Sequence, residues 1–229
     1  MNVGIVTTWF ERGAAYVSRA YMETLSMKHN VFIYARGGEK YAQGDDKWDK
    51  EYVTWGKIKS NQDKSRIDFE DFKWWLIKND INIIIFNEQN NWEIIIQIRE
   101  LDIIIGSYID YYTRDTLPFF WLYDFLLCNT IRHYNVFQNH PQVLYIPWGT
   151  DINIFKPSNR LASNDSITFF HSAGMSPNRK GTDLLVRAFE KIDGDAKLIN
   201  HLQKPKSLDK ATLKLVNMNQ KITFIEKEI

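Results

Sequence analysis

Apolar positions along this chain fall into two alternating registers. Short unbroken apolar runs at Val3 to Thr8, Val31 to Tyr34, Ile81 to Phe86, Ile103 to Tyr108, Phe125 to Cys128 and Val143 to Ile146 read as strands. Their continuous character is that of strands buried on both faces of a parallel sheet. Helical patterns separate them. Ala14 to Lys28 repeats Val17, Tyr21 and Leu25 every four residues behind Gly13, and Asp68 to Asn79 sets Phe69, Phe72 and Leu76 on one face. Trp92 to Glu100 and Thr130 to Gln138 complete the set. The stretch from Arg36 to Lys64, rich in Gly, Asp and Lys, reads as loop with one short strand at Tyr52 to Trp55.

Strands alternating with helices predict an α/β protein whose parallel sheet carries helices on both faces, with right-handed crossovers bringing the loop tips to one sheet edge. Residues 1–150 form one Rossmann-like domain in this reading. Residues 151–165, with Pro157 and a polar run, read as a linker, and a second strand-helix-strand-helix-strand series begins at Ile167 and ends at Ile222 to Ile225. The second domain, 166–229, thus holds about three strands and two helices. A sheet of that size covered on one face leaves apolar surface open, so self-association through it is expected.

Ile167 to Glu190 reads ITFFHSAGMSPNRKGTDLLVRAFE: an apolar strand, a loop ending in Arg179, Lys180 and Gly181, and an amphipathic helix starting near Thr182. Free amides in a helix's first turn and the helix dipole attract anions, and a lysine just ahead of that turn adds a formal charge suited to a diphosphate. A solvated basic loop is the other reading. Upstream, Val143 to Pro157 reads VLYIPWGTDINIFKP.

With these two motifs in order, and with the opening MNVGIVTTWFERGAAYVSRAYMETL matching a first strand, glycine loop and first helix, the chain resembles the family-4 retaining glycosyltransferases of GT-B fold. The family's Ile-Pro-Asn-Gly-Val-Asp followed by Phe-Lys-Pro stands here as Ile146-Pro147-Trp148-Gly149-Thr150-Asp151 and Phe155-Lys156-Pro157. The resemblance implies a GT-B-like fold and transfer of a sugar, with retention, from a nucleoside-diphosphate-sugar to a glycan, lipid or protein acceptor. It implies no metal. Lys180 matches the lysine that grips the departing diphosphate, with Arg179 as a second cation where the family's Gly-Arg pair is replaced by His171-Ser172-Ala173-Gly174. Gly13, Gly181 and Thr182 complete the expected phosphate contacts.

On the acceptor side the family's mid-domain histidine is missing, and Tyr108 and Asp110 stand in that region, with Asn87 and Glu88 ending another strand. Asp110 reads first as a helix-cap or loop aspartate and second as a ligand contact at a strand's carboxyl edge, and Asn87 and Glu88 carry the same two readings. The family also carries two glutamates separated by seven residues. Glu226 and Glu228 lack that spacing. The donor domain is therefore expected to be truncated here and the chain inactive alone, which leaves a non-catalytic glycan- or partner-binding module as the alternative.

Composition narrows the classes further. A formal net charge of +1 and no long basic run argue against a nucleic-acid partner. Cys128, the single cysteine, reads as a small buried hydrophobe. The five histidines show no paired-ligand spacing, so no metal site is expected. The start lacks the basic and apolar regions of a signal peptide and no apolar run reaches membrane-spanning length, which points to a cytoplasmic location. A dinucleotide-dependent dehydrogenase would need a G-x-G-x-x-G turn, and neither Thr7 to Ala14 nor Ser172 to Gly181 supplies one.

Overall fold

The computed structural model describes residues 1–58, 66–89, 91–157, 167–174, 176–202 and 208–226. Residues 158–165 of the expected linker, 59–65 of the loop after Arg36, and Glu228 lie outside the described residues. The chain divides into two compact units, Met1–Asp151 and Ile152–Ile229.

The first unit is built on seven parallel strands: β1 (Asn2–Thr7), β2 (Asn30–Ala35), β3 (Val53–Trp55), β4 (Ile83–Asn87), β5 (Ile104–Ile109), β6 (Phe125–Cys128) and β7 (Val143–Tyr145). Their order across the sheet is β3-β2-β1-β4-β5-β6-β7. Alternation of side chains along each strand divides the core in two. Ile5, Ile33 and Ile85 pack with Ala15 and Met22 of α1 (Gly13–Leu25) on one face. Val6, Ile84, Phe86 and Ile105 pack on the other face with Phe72, Trp75 and Leu76 of α2 (Phe69–Lys78) and with Ile94, Ile95 and Ile98 of α3 (Trp92–Ile98). The last helix of the unit, α4 (Ile131–Phe137), is capped by Thr130, whose hydroxyl accepts from the His133 amide at 3.1 Å.

Local chemistry sets the boundaries. Asp68 caps α2 by accepting from the Asp71 amide, Glu70 and Asp71 fill its first turn and Lys78 its last, a charge order that complements the helix dipole. Asp80 then takes a left-handed φ of 48° and the Ile81 amide bonds back to the Leu76 carbonyl, which is why β4 starts at Ile83 and not at Ile81. The sequence pattern also missed a 3₁₀ helix at Leu117–Leu122, where Pro118 breaks any α-period while Phe120 is buried in the core.

The second unit holds three parallel strands in the order β10-β9-β8: β8 (Ile167–Gly174), β9 (Ala196–Leu202) and β10 (Ile222–Glu226). Val186 and Phe189 of α5 (Thr182–Phe189) and Val216 of α6 (Lys210–Met218) pack with Ala196, Leu198 and Ile222 on one face. Phe170 is in register with Ile199, on the opposite face from Leu198, and is 66% exposed, as Ile225 is 44%. Among the described residues no helix is long and apolar enough to cross a membrane.

Candidate functional site

In an open parallel sheet, ligands bind beyond the carboxyl ends of the strands where the strand order reverses, and here that switch point falls between β1 and β4. Four loops leave the sheet there. They carry Arg12 after β1, Arg36 after β2, Glu88 after β4 and Asp110 after β5, around a cavity of about 260 Å³.

Arg36 is buried and its Nε and Nη2 donate to Glu39 Oε2 at 2.9 and 2.8 Å, while its Nη1 donates to the Glu88 carbonyl at 2.8 Å. Arg12, at the N-cap of α1, pairs with Glu39 at 3.5 Å and with Glu88 at 3.2 Å. Glu88 itself takes a left-handed φ of 55°, a conformation that costs a non-glycine residue about 1–3 kcal/mol. Two cations and the surrounding fold hold it there. Burial pushes the Glu88 carboxyl above its usual range, and the neighbouring Asp110 charge adds to that against the downward pull of Arg12 and Arg36. Glu88 and Asp110 line the same cavity, two carboxyl groups on the loops after neighbouring strands.

The other acceptor-side residues are used inside the fold. Asn87 is buried, and its Nδ2 donates to the Ala14 carbonyl and to Ser18 Oγ, each at 2.9 Å, tying the start of α1 to the sheet. The Tyr108 hydroxyl accepts from Asn129 Nδ2 at 2.7 Å and from Trp148 Nε1 at 3.2 Å, so it anchors the Ile146-to-Asp151 motif to β5, and burial raises its pKa. Gly13 has an ordinary negative-φ backbone and open space where a Cβ would stand.

In the second unit, β8 ends at Gly174, residues 176–180 form a tight turn closed by the Lys180 amide on the Ser176 carbonyl at 3.1 Å, and α5 begins at Thr182. Gly181 is the N-cap, with a left-handed φ of 70° that favours glycine. Lys180 and Arg179 are exposed and make no ion pair among the described residues. The Thr182 amide is taken by the Pro177 carbonyl, and the Thr182 side chain is fully buried with its Oγ1 3.0 Å from His171 Nε2. That leaves the Asp183 and Leu184 amides without a backbone partner among the described residues, as the first turn of any helix leaves them. Asp183 also brings a carboxylate into that turn, so the attraction for an anion rests on Lys180 more than on the dipole. His171 is held below the usual histidine range, first by burial and then by the Lys180 charge.

Sequence reasoning singled out Lys180, Glu88 and Asp110 but missed Arg12, Arg36 and Gln89. Arg12 and Arg36 stand just past the carboxyl ends of the first two strands, where a basic residue in an open α/β sheet is itself a signal. Gln89 gave none. Nor did Asn200, in register with His171, which is fully buried with neither Nδ2 nor Oδ1 partnered among the described residues. Among those residues no group of three or more His, Cys, Asp or Glu side chains is placed to hold a metal ion.

No protein-family model and no curated protein sequence matches this chain. Similarity to solved structures is extensive. A glycosyltransferase from Rickettsia africae ESF-5 matches with a TM-score of 0.69 and 13% identity, over 99% of this chain and 68% of that one. A lipopolysaccharide outer core galactosyltransferase in its apo form matches with a TM-score of 0.64 and 13% identity over the same shares. A UDP-GlcNAc 2-epimerase from Neisseria meningitidis bound to UDP-GlcNAc matches with a TM-score of 0.62 and 12% identity, over 100% of this chain and 73% of that one. The fold is thus the Rossmann-like, parallel-sheet architecture of GT-B proteins, and the chain spans about two thirds of their length.

Proposed function

We propose that the chain belongs to a glycosyltransferase that moves a sugar from a nucleoside-diphosphate-sugar to a glycan, lipid or protein acceptor with retention. In this reading residues 1–150 supply the acceptor side, and the second unit supplies the first part of the donor side. The observation that carries the reading is Lys180: an exposed ammonium, without an ion pair among the described residues, directly ahead of the Gly181 cap and the first-turn amides of α5. The GT-B-like fold supports it, as does the order of the two motifs at 143–157 and 167–190.

As the bond between the sugar's anomeric carbon and the diphosphate breaks, negative charge grows on the leaving oxygen. In this reading Lys180 Nζ and the Asp183 and Leu184 amides meet that charge. The acceptor oxygen bonds to the anomeric carbon on the face the diphosphate leaves, and its proton passes to the departing diphosphate. A preorganised donor aimed at developing charge contributes roughly 10²–10³ in rate. Because side-chain and backbone donors do this work, no metal is required.

The test is turnover of UDP-, GDP- and ADP-sugars by the protein expressed to the stop codon of its reading frame. Acceptor-dependent release of nucleoside diphosphate, a product with the donor's anomeric configuration, indifference to EDTA, and loss of turnover in Lys180→Ala are the expected results. Epimerisation of the donor without an acceptor would assign the fold to the epimerases instead. Nucleotide or glycan binding with no turnover would leave the non-catalytic binding module.

A further inference from the structure

The cavity at the carboxyl ends of β4 and β5 says more about the acceptor than the reading above, on which this inference rests. Its charges are spent on one another. Arg36 directs three of its five N–H donors to Glu39 and the Glu88 carbonyl, and Arg12 is divided between Glu39 and Glu88. Asp110 lines the same cavity, so the two guanidinium groups face three carboxyl groups, Glu39, Glu88 and Asp110, and a bound anion would add repulsion that two already paired arginines offset only in part. Unspent hydrogen-bonding capacity remains on both sides. Glu88 and Asp110 offer carboxyl oxygens as acceptors. Gln89, which lines the cavity and is only 8% exposed, accepts from the Asn91 amide through Oε1 at 2.7 Å, while its Nε2 has no partner among the described residues. A buried donor left unpaired costs stability unless a ligand or water meets it. Tyr111, 75% exposed on the same wall, presents an apolar ring face.

From this geometry we infer that the cavity holds a neutral, hydroxyl-rich sugar ring of the acceptor, with Glu88 and Asp110 accepting from its hydroxyls, Gln89 Nε2 donating to one of them, and Tyr111 covering its apolar face. A hydroxyl both donates and accepts, so it matches a site that offers both. A phosphate or carboxylate, which in its ionised form only accepts, does not. The volume of about 260 Å³ suits one ring and not an extended chain. The acceptor is therefore a neutral glycan or glycoconjugate terminating in such a ring.

The 229-residue chain can be titrated with methyl β-D-galactopyranoside, methyl α-D-glucopyranoside and methyl N-acetyl-β-D-glucosaminide, and with the 6-phosphate of each, by saturation-transfer NMR and chemical-shift mapping. At least one neutral glycoside is expected to bind, its phosphate at least about tenfold more weakly, and Asp110→Asn and Gln89→Leu each to weaken it by about tenfold or more, the scale of one charged or fully buried hydrogen bond. Asp110→Asn keeps the size of the side chain, and Gln89→Leu removes a polar group from an interior position, so a fold failure in one leaves the other to report. Tighter binding of a phosphate, no binding of any neutral glycoside, or wild-type binding by both variants would overturn the inference. A parallel titration with UDP, GDP and ADP separates the two claims, since lost sugar binding with retained nucleotide binding removes only this one.

Discussion

His171 Nε2 stands 3.0 Å from Thr182 Oγ1, so β8 is pinned to the first residue of α5 directly beneath the loop that carries Lys180. Burial and then the Lys180 charge keep this imidazole neutral below the ordinary histidine value of 6.5. The unfolded chain binds that proton more readily than the folded one. Stability of the second unit therefore declines as pH falls through 6.5 and levels off below the folded value. In an NMR titration the His171 midpoint is expected below 6.5, and Lys180→Ala or bound nucleoside diphosphate should raise it by cancelling the lysine charge. A midpoint at or above 6.5 would remove the assigned environment.

Asn87 is expected to matter for stability and not for ligand binding. Asn87→Ala removes the buried donor shared by the Ala14 carbonyl and Ser18 Oγ, leaving Ser18 Oγ only its bond to Thr7 Oγ1, which should cost about 1–3 kcal/mol in urea unfolding. Asn87→Asp should cost more, because a buried carboxylate cannot donate to the Ala14 carbonyl. A variant that keeps wild-type stability and loses a ligand would make Asn87 a binding residue instead of a structural one.

Gly106 sits where a Cβ would stand 2.1 Å from the Phe125 ring on the adjoining strand. Gly106→Ala should destabilise the first unit by about 1–3 kcal/mol through overpacking. Thermal unfolding would check it, and adding Phe125→Leu should recover part of the loss. An unchanged melting temperature in Gly106→Ala alone would contradict the packing.

The open face of the second unit sets its solution behaviour. Phe170 and Ile225 are exposed on the side away from α5 and α6, and light scattering is expected to show concentration-dependent association that Phe170→Lys reduces. Monodisperse monomer at high protein concentration would argue that this face does not self-associate.

Much of the fold was legible because the central strands are buried and appear as unbroken apolar runs, as at Ile81 to Phe86, whereas Val143 to Ile146 kept an apolar run although β7 is an edge strand with Leu144 and Tyr145 exposed. What escaped was local geometry that periodicity does not encode. The 3₁₀ turn around Pro118 has too few residues for a helical period, and the left-handed Asp80 shifts the start of β4 by two residues. For the site, Lys180 was visible because its whole strand-loop-helix is contiguous in sequence. The Arg12, Arg36, Glu39 and Glu88 network was not, since its members lie on separate loops and meet only once β1, β2 and β4 are side by side. Thr182, read as a phosphate contact, turns its side chain inward to His171, a partner in the preceding strand that spacing alone did not reveal.

The most direct test of a donor site at Lys180 is calorimetric titration of this chain with UDP, GDP and ADP, repeated on Lys180→Ala. One of the three is expected to bind wild-type protein, weakly, and Lys180→Ala to lower that affinity by about 10- to 150-fold, the equivalent of the 1.5–3 kcal/mol of a charge-assisted hydrogen bond. Equal affinity in the variant, or no binding of any of the three by the wild type, would contradict a donor diphosphate held at the start of α5.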